Sequence, residues 1–486
     1  MLFGFLARRR NRLSPARDQK QKKIDDMADI EGIEAGEVLL PKQETEEHER
    51  KGTVWTAAAH ILTAVFGSGV LALPWSVAQL GWIAGALALI GFSCITYYTS
   101  TLLADTYRAP DPVTGSRNPT YTEAVRAYLS PRKVNICGVV QYVNLWGTLV
   151  GYTITAAISM KAINHWLYQD GYESKGDVSS TVMLQFGIVQ LILSQLPSLE
   201  KITWLSVMSA IMSFAYSFIG LGLSVAKWIV NGHIGFLVGK SALSPGEKTW
   251  NSLQALGNIA FAYTFAEVLI EIQDTLRPSP PENMTMKKAT FYGMGGTTIF
   301  YLAMGFAGYG AFGNNTPGNI LSAFGCFRPS WLVGIANICI VLHLLGAYQI
   351  YAQPIFAVIE SRVAARWPEV NFVNWMYTIN VPVFKQVSIS FSLSKLVLRS
   401  IIILITTLVT MMVPFFNAVL GLLGAISFWP MTVYFPISMH IAQKKISRGT
   451  PKWLFLQSLS IFCLVTSLAV TVGSAVDIAS SLKLPE

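Results

Sequence analysis

Charge is scarce in this sequence. Asp, Glu, Lys and Arg make up 13% of its 486 residues, against about a quarter in a soluble domain, which excludes an ordinary water-soluble globular class. Cysteine is scarce too. Of Cys94, Cys137, Cys326, Cys339 and Cys463, only Cys326 falls clearly in a loop, so no disulfide framework is expected. No phosphate-binding loop occurs, which argues against ATP drive. No clustered His/Asp metal motif and no nucleophile constellation is found, so neither an enzyme, a cofactor nor a metal site is expected. The apolar stretch from Met1 to Ala7 is too short for a signal-peptide core, and basic residues follow it rather than precede it.

What is abundant is apolar. Hydrophobic residues reach 52% and the mean hydropathy is +0.45, the signature of an all-α integral membrane protein. Residues 1–52 form a polar tail, basic from Arg8 to Lys23 and acidic from Asp25 to Glu49, expected to be disordered and cytoplasmic. The basic half either meets anionic lipid or is simply solvated. The transmembrane domain is expected over 53–478, with a short extracellular stretch at 479–486. A bilayer-crossing helix needs about 20 residues, and about eleven runs qualify: 53–79, 81–104, 135–166, 181–199, 202–229, 249–276, 289–312, 330–360, 393–413, 415–441 and 453–478. The connections near Leu80, Leu199 and Pro414 are very short.

Lys and Arg alternate between loops along the chain. One set holds Arg108, Arg117, Arg126, Arg132 and Lys133, then Lys201, then Arg277, Lys287 and Lys288, then Arg362, Arg366, Lys385 and Lys395, then Lys444, Lys445, Arg448 and Lys452. The other set is poorer, with Lys175, Lys240, Lys248 and Arg328. The rich set reads as cytoplasmic, with the N-terminus on that side. The net charge of +9 is therefore a topology signal, and no nucleic-acid partner is implied.

Two runs break the pattern of a continuous apolar helix. The first contains Gly67-Ser68-Gly69 near its middle. Each Gly costs about 1 kcal/mol against Ala in a helix interior, and lipid cannot solvate the backbone so freed. The triplet is either a helix break lining a cavity or a seat for close helix packing. The sixth run carries Glu267 well inside it, with Glu271 one turn deeper and Asp274 near its end. A carboxylate at that depth faces a bundle interior or a cavity. The two anomalous runs lie five helices apart, the spacing of broken helices in a five-plus-five inverted repeat, which favours the cavity. In the third run, Asn144 and Thr148 are four apart and share a face, either lining a pocket or bonding between helices.

Several segments resemble the plant amino acid permeases of the amino acid/auxin permease family. They are GTVWTAAAHILTAVFGSGVL at 52–71, AQLGWIAG at 78–85, YRAPDP at 107–112, IEIQDTL at 270–276, AFGN at 311–314, HLLGAYQ at 343–349, AQPIF at 352–356 and FWPMTVYFP at 428–436. They follow in order from about 51 to 478. The resemblance implies a LeuT-type fold, five plus five helices and one extra, and proton-driven amino acid uptake across the plasma membrane. Departures from the family pattern are Glu267 where a small or hydroxyl residue is usual, Pro74 in place of alanine, no cysteine pair between the third and fourth spans, and the basic head of the tail.

Taken with that geometry, the resemblance assigns a substrate site to Gly67, Ser68, Gly69, Val70, Asn144, Thr148, Phe261, Ala262, Tyr263 and Thr264. The half-helix from Val70 would receive the substrate carboxylate. Carbonyls near Phe261, Ala262 and Thr264 would receive the ammonium, and Phe261 or Tyr263 would gate. His60, His343 and Glu267 are the candidates for proton coupling, the two histidines having ordinary pKa values near 6.5. Sodium ligated by hydroxyl and carbonyl oxygens is the competing scheme. Rival readings are an auxin or organic acid carrier and an amino acid receptor that does not cycle. The expected partners are an amino acid, a proton and the lipid bilayer.

Overall fold

The computed structural model describes residues 50–168, 180–195, 203–232, 239, 244–325, 330–367, 370, 376–380 and 388–483. The charged tail before Arg50, Lys175, Lys201, Lys240, Cys326, Arg328, Lys385 and the last three residues lie outside the described residues.

Helix α1 (Val54–Val65) starts at a capping box made by Thr53 and Thr56. It stops where Phe66 turns to ψ 72° and Gly67 is extended (φ −117°, ψ −156°). A 3-10 turn, Ser68–Ala72, leads into α2 (Leu73–Asp105). Pro74 falls in the first turn of α2, where its missing N–H has no intrahelical partner to lose. At Gly81 the backbone takes φ 84° and ψ 176°, a conformation that suits glycine alone. The first two apolar runs are therefore an interrupted span and a second span joined through one glycine.

A two-stranded antiparallel ribbon follows, β1 (Arg108–Ala109) with β2 (Ser116–Arg117). Then come α3 (Tyr121–Tyr128), α4 (Pro131–Tyr168), α5 (Ser180–Ser194) and α6 (Thr203–Asn231). Helix α7 (Pro245–Ala262) opens on a second capping box, Ser244 with Glu247. It breaks at Tyr263 and Phe265, whose ψ values are 1° and 3°, and resumes as α8 (Ala266–Asp274). The second half adds α9 (Glu282–Phe312), α10 (Ser330–Arg366), the antiparallel ribbon β3 (Met376–Asn380) with β4 (Ser388–Ser392), α11 (Leu393–Met412) and α12 (Phe416–Ser427). A π-helical stretch Phe428–Tyr434 connects α12 to α13 (Phe435–Gln443), and α14 (Pro451–Lys483) closes the chain. Among the described residues, helix is found in each of the eleven apolar runs; the ribbons and α3 are additions in the connections.

Among the described residues, seven spans are long and apolar enough to cross a bilayer on composition alone. The others fall short for local reasons. α1 and α5 have 12 and 15 residues. α4 and α9 are long, but α4 carries the buried Gln141, Asn144, Thr148, Thr153 and Thr155, and α9 is diluted by Gly293, Gly295, Gly296, Thr297, Thr298, Gly305, Gly308 and Gly310. Large apolar side chains such as Ile83, Leu87, Ile461 and Phe462 are exposed on the outside of the bundle, while amides and hydroxyls are buried within. That is the distribution of a protein whose solvent is lipid.

The two interrupted helices cross near their breaks. The 3-10 turn after α1 packs on α7, and α1 packs on α8, so each half of one meets the opposite half of the other. α7 and α12 also touch backbone to backbone: a Cβ on Gly424 would lie 2.0 Å from the Gly257 carbonyl oxygen.

Candidate functional site

A cavity of about 50 Å³ lies where the two breaks meet, room for a few water molecules. Its walls are Ala64, Val65, Gly67, Ser68 and Gly69 from the first break; Phe261, Ala262, Thr264, Phe265, Glu267 and Val268 from the second; Asn144, Thr148 and Tyr152 from α4; and Tyr351 from α10. The neighbouring glycines do different work. A Cβ on Gly67 would meet nothing within 4 Å, whereas one on Gly69 would lie 3.1 Å from Ala262 Cα and 3.3 Å from Phe261 Cδ1. Gly67 faces the void and Gly69 lets the second break pack against the first, so both readings of the triplet hold, one at each glycine.

Asn144 Nδ2 donates to Glu267 Oε1 at 3.0 Å, joining α4 to α8. The Thr148 hydroxyl donates to its own helix, to the Asn144 carbonyl at 2.8 Å. Asn144 Oδ1 and Ser68 Oγ are buried and have no hydrogen-bond partner. Buried polar atoms are nearly always satisfied, so two open oxygens on residues that line one cavity call for a ligand or water. Among the described residues no Lys, Arg or His stands within ion-pair distance of Glu267. The cavity thus presents a carboxylate without a resident cation.

Four residues of the sequence-based set do not line this cavity. Val70 is packed in the core at 0% exposure. Tyr263 is equally buried and turns away, its ring 5.1 Å from that of Tyr301, which leaves Phe261 as the aromatic at the cavity wall. His60 lies on the exposed face of α1. His343 is buried between α10 and α6, its Nδ1 2.8 Å from the Ser209 carbonyl oxygen. Conversely, Tyr152 and Tyr351 line the cavity with rings 5.5 Å apart, edge to face. Tyr152 continues the four-residue spacing of Asn144 and Thr148, so the shared helix face already pointed to it. Nothing in the local sequence separates Tyr351 from its aromatic neighbours.

The carbonyls expected to be free at the second break are partly taken. Phe261 O accepts from the Thr264 N–H at 3.1 Å. Ala262 O accepts from the Tyr301 hydroxyl at 3.1 Å, and the same hydroxyl lies 2.7 Å from Val65 O. Tyr301, on α9, thereby contacts the last residue of α1 and the last residue of α7.

Away from the cavity, the residues before α1 are tied to the end of α8. Arg50 donates to Glu282 Oε1 at 2.7 Å and to the Asp274 carbonyl at 2.8 Å. Arg108 grips the same carboxylate through two nitrogens, at 2.7 and 3.2 Å. Gly52 exchanges backbone hydrogen bonds with Thr275 and Arg277 at 3.0 and 3.1 Å. The Tyr107 hydroxyl donates to Asp274 Oδ1 at 2.5 Å. Burial alone would raise the Glu282 carboxyl, but hydrogen bonds from Arg108 and Arg50 outweigh it and hold it below the usual range. Burial first, and then the bond to Asp274, push the Tyr107 hydroxyl well up.

Comparison with known proteins places these features in a family. The family described as transmembrane amino acid transporter protein matches residues 50–479. Amino acid permease 8 of Arabidopsis thaliana is 49% identical over 461 residues, covering 93% of this chain and 96% of the relative. Amino acid permease 1 of the same plant is 51% identical over 443 residues, covering 90% and 91%. In fold, the chain is similar to a nucleobase-cation-symport-1 family transporter solved in a closed conformation with bromovinylhydantoin bound. The TM-score there is 0.50 at 12% identity, over 92% of this chain and 98% of that one. The architecture is the LeuT-type helical fold.

Proposed function

Because the chain belongs to the transmembrane amino acid transporter family, we propose that it is a proton-coupled symporter that imports amino acids across the plasma membrane by alternating access. The observation that carries this reading is the cavity between the two helix breaks, with a carboxylate and two open oxygens on its walls. The relatives named amino acid permeases supply the substrate class.

A free amino acid brings an ammonium, a carboxylate and a side chain. Its ammonium donates hydrogen bonds to a Glu267 oxygen and to Asn144 Oδ1, groups that lie together on the cavity wall. Its carboxylate is received at the start of the 3-10 turn, Ser68 and Gly69, where backbone N–H groups and a positive dipole end favour an anion. Tyr152, Tyr351 and Phe261 surround the side chain. Glu267 lines the cavity whereas His60 and His343 do not, so Glu267 is assigned the coupling proton. With that proton aboard the loaded site is neutral, and the emptied site returns as the anion, so each zwitterionic amino acid carries one net positive charge inward and the membrane potential adds to the pH gradient.

The test is current and uptake in oocytes for a panel of amino acids at pH 5.5 and 7.5, with sodium or choline outside. Inward current that grows on acidification in either cation is expected. Current that requires sodium would overturn the coupling, binding without uptake would point to a receptor, and transport of auxin in preference to amino acids would move the substrate class.

A further inference from the structure

We propose that Tyr301 is a positioning residue that links the two interrupted helices, its hydroxyl filling the place between their carbonyl ends where a monovalent cation would otherwise be held. The proposal rests on the transport reading above and deepens it.

The hydroxyl reaches both helix ends, although Val65 O also accepts from the Gly67 N–H at 2.9 Å. Val65 ends α1 and Ala262 ends α7, and the Tyr301 hydroxyl reaches both carbonyls, at 2.7 and 3.1 Å. The ring rests on the residue that follows each end, 5.9 Å from Phe66 and 5.1 Å from Tyr263 between centroids. Tyr301 is 0% exposed and is not part of the cavity wall. The C-terminal end of a helix carries about half a negative charge. Two such ends at one point repel each other unless something positive lies between them. Discontinuous helices in cation-driven carriers give their C-terminal ends and unwound carbonyls to the coupling ion for this reason. Here a hydroxyl dipole answers the same need without a charge, and it cannot dissociate. Its one proton is shared between the two carbonyls, so moving either break changes the hydrogen bond of the other. That links the halves of the repeat and leaves no role for sodium at the breaks.

The experiment compares Tyr301→Phe and Tyr301→Ser with the wild type in alanine uptake at pH 5.5, in sodium, lithium or choline, with surface protein quantified. Tyr301→Phe keeps the ring and removes the bridge. The maximal rate is expected to fall by about tenfold, the weight of one buried hydrogen bond, with KM little changed because the cavity wall is intact. Tyr301→Ser also removes the ring and opens room for an ion. Its uptake is expected to rise at least about threefold when sodium or lithium replaces choline.

Full activity of Tyr301→Phe would overturn the proposal. So would its failure to reach the surface, which would make the hydroxyl a folding element, and so would equal impairment of Tyr301→Ser in all three cations. An acid-stimulated, sodium-indifferent wild type together with a fully active Tyr301→Phe would sink this proposal while sparing the proton reading.

Discussion

Asn144 holds one oxygen of Glu267 and leaves its own carbonyl oxygen open to the cavity. Glu267→Gln keeps the shape and removes the charge. It should abolish the acid stimulation of current for neutral amino acids, read as the ratio of current at pH 5.5 to that at 7.5. An unchanged ratio would remove Glu267 from coupling. The glycines separate by geometry. Gly69→Ala must displace Ala262 or Phe261 and should cost about 1–3 kcal/mol of stability, seen as a lower melting temperature in detergent. Gly67→Ala should leave melting unchanged and raise KM by narrowing the cavity. At this scale the sequence marks unusual residues well, because a mid-span carboxylate or glycine pair is costly in lipid. It marks ordinary ones poorly. Tyr301 is one aromatic among many in a membrane helix, and its partners lie 236 and 39 residues away. For His60 and His343 the chemistry was legible but not the direction in which the side chains point.

The interrupted helices show the same division. The first break is written in Gly67 and Gly69. The second has neither glycine nor proline from Phe261 to Phe265; the run was marked by the carboxylate of Glu267 and its break inferred from the five-helix spacing, and hydrogen bonds of Thr264 and Tyr301 to Ala260 O and Ala262 O sustain it. Helix α3 and the two ribbons escaped notice because short polar segments carry little periodicity.

The cluster at Glu282 belongs to this scale, since it ties the start of α1 to α8 and α9. Glu282→Ala leaves Arg50 and Arg108 facing each other without an anion and should cost about 3 kcal/mol, measured as loss of thermal stability. The sign of its pH dependence follows from its lowered carboxyl. Its contribution is complete above the ordinary glutamate value, about pH 4.3, and is lost as pH falls through the lower folded value. Melting should therefore be flat between pH 5.5 and 7.5 as far as this cluster is concerned. Acid stimulation of transport in that window has to come from elsewhere, and a melting temperature that changed there in wild type but not in Glu282→Ala would contradict this.

For the molecule as a whole, composition and loop charge suffice to make it a multi-pass membrane protein. The repeat came from spacing, since the halves share no visible residue pattern. The contacts between the halves, the proposed bridge by the Tyr301 hydroxyl on α9 among them, are ones that only the folded chain creates. The central claim is that a carboxylate in a cavity between two broken helices couples amino acid entry to protons. The most direct test is alanine-evoked current in oocytes at pH 5.5 and 7.5, with sodium replaced by choline. Larger current at pH 5.5, unchanged by choline, is the result predicted. Current that vanishes in choline, or does not grow on acidification, would contradict the account.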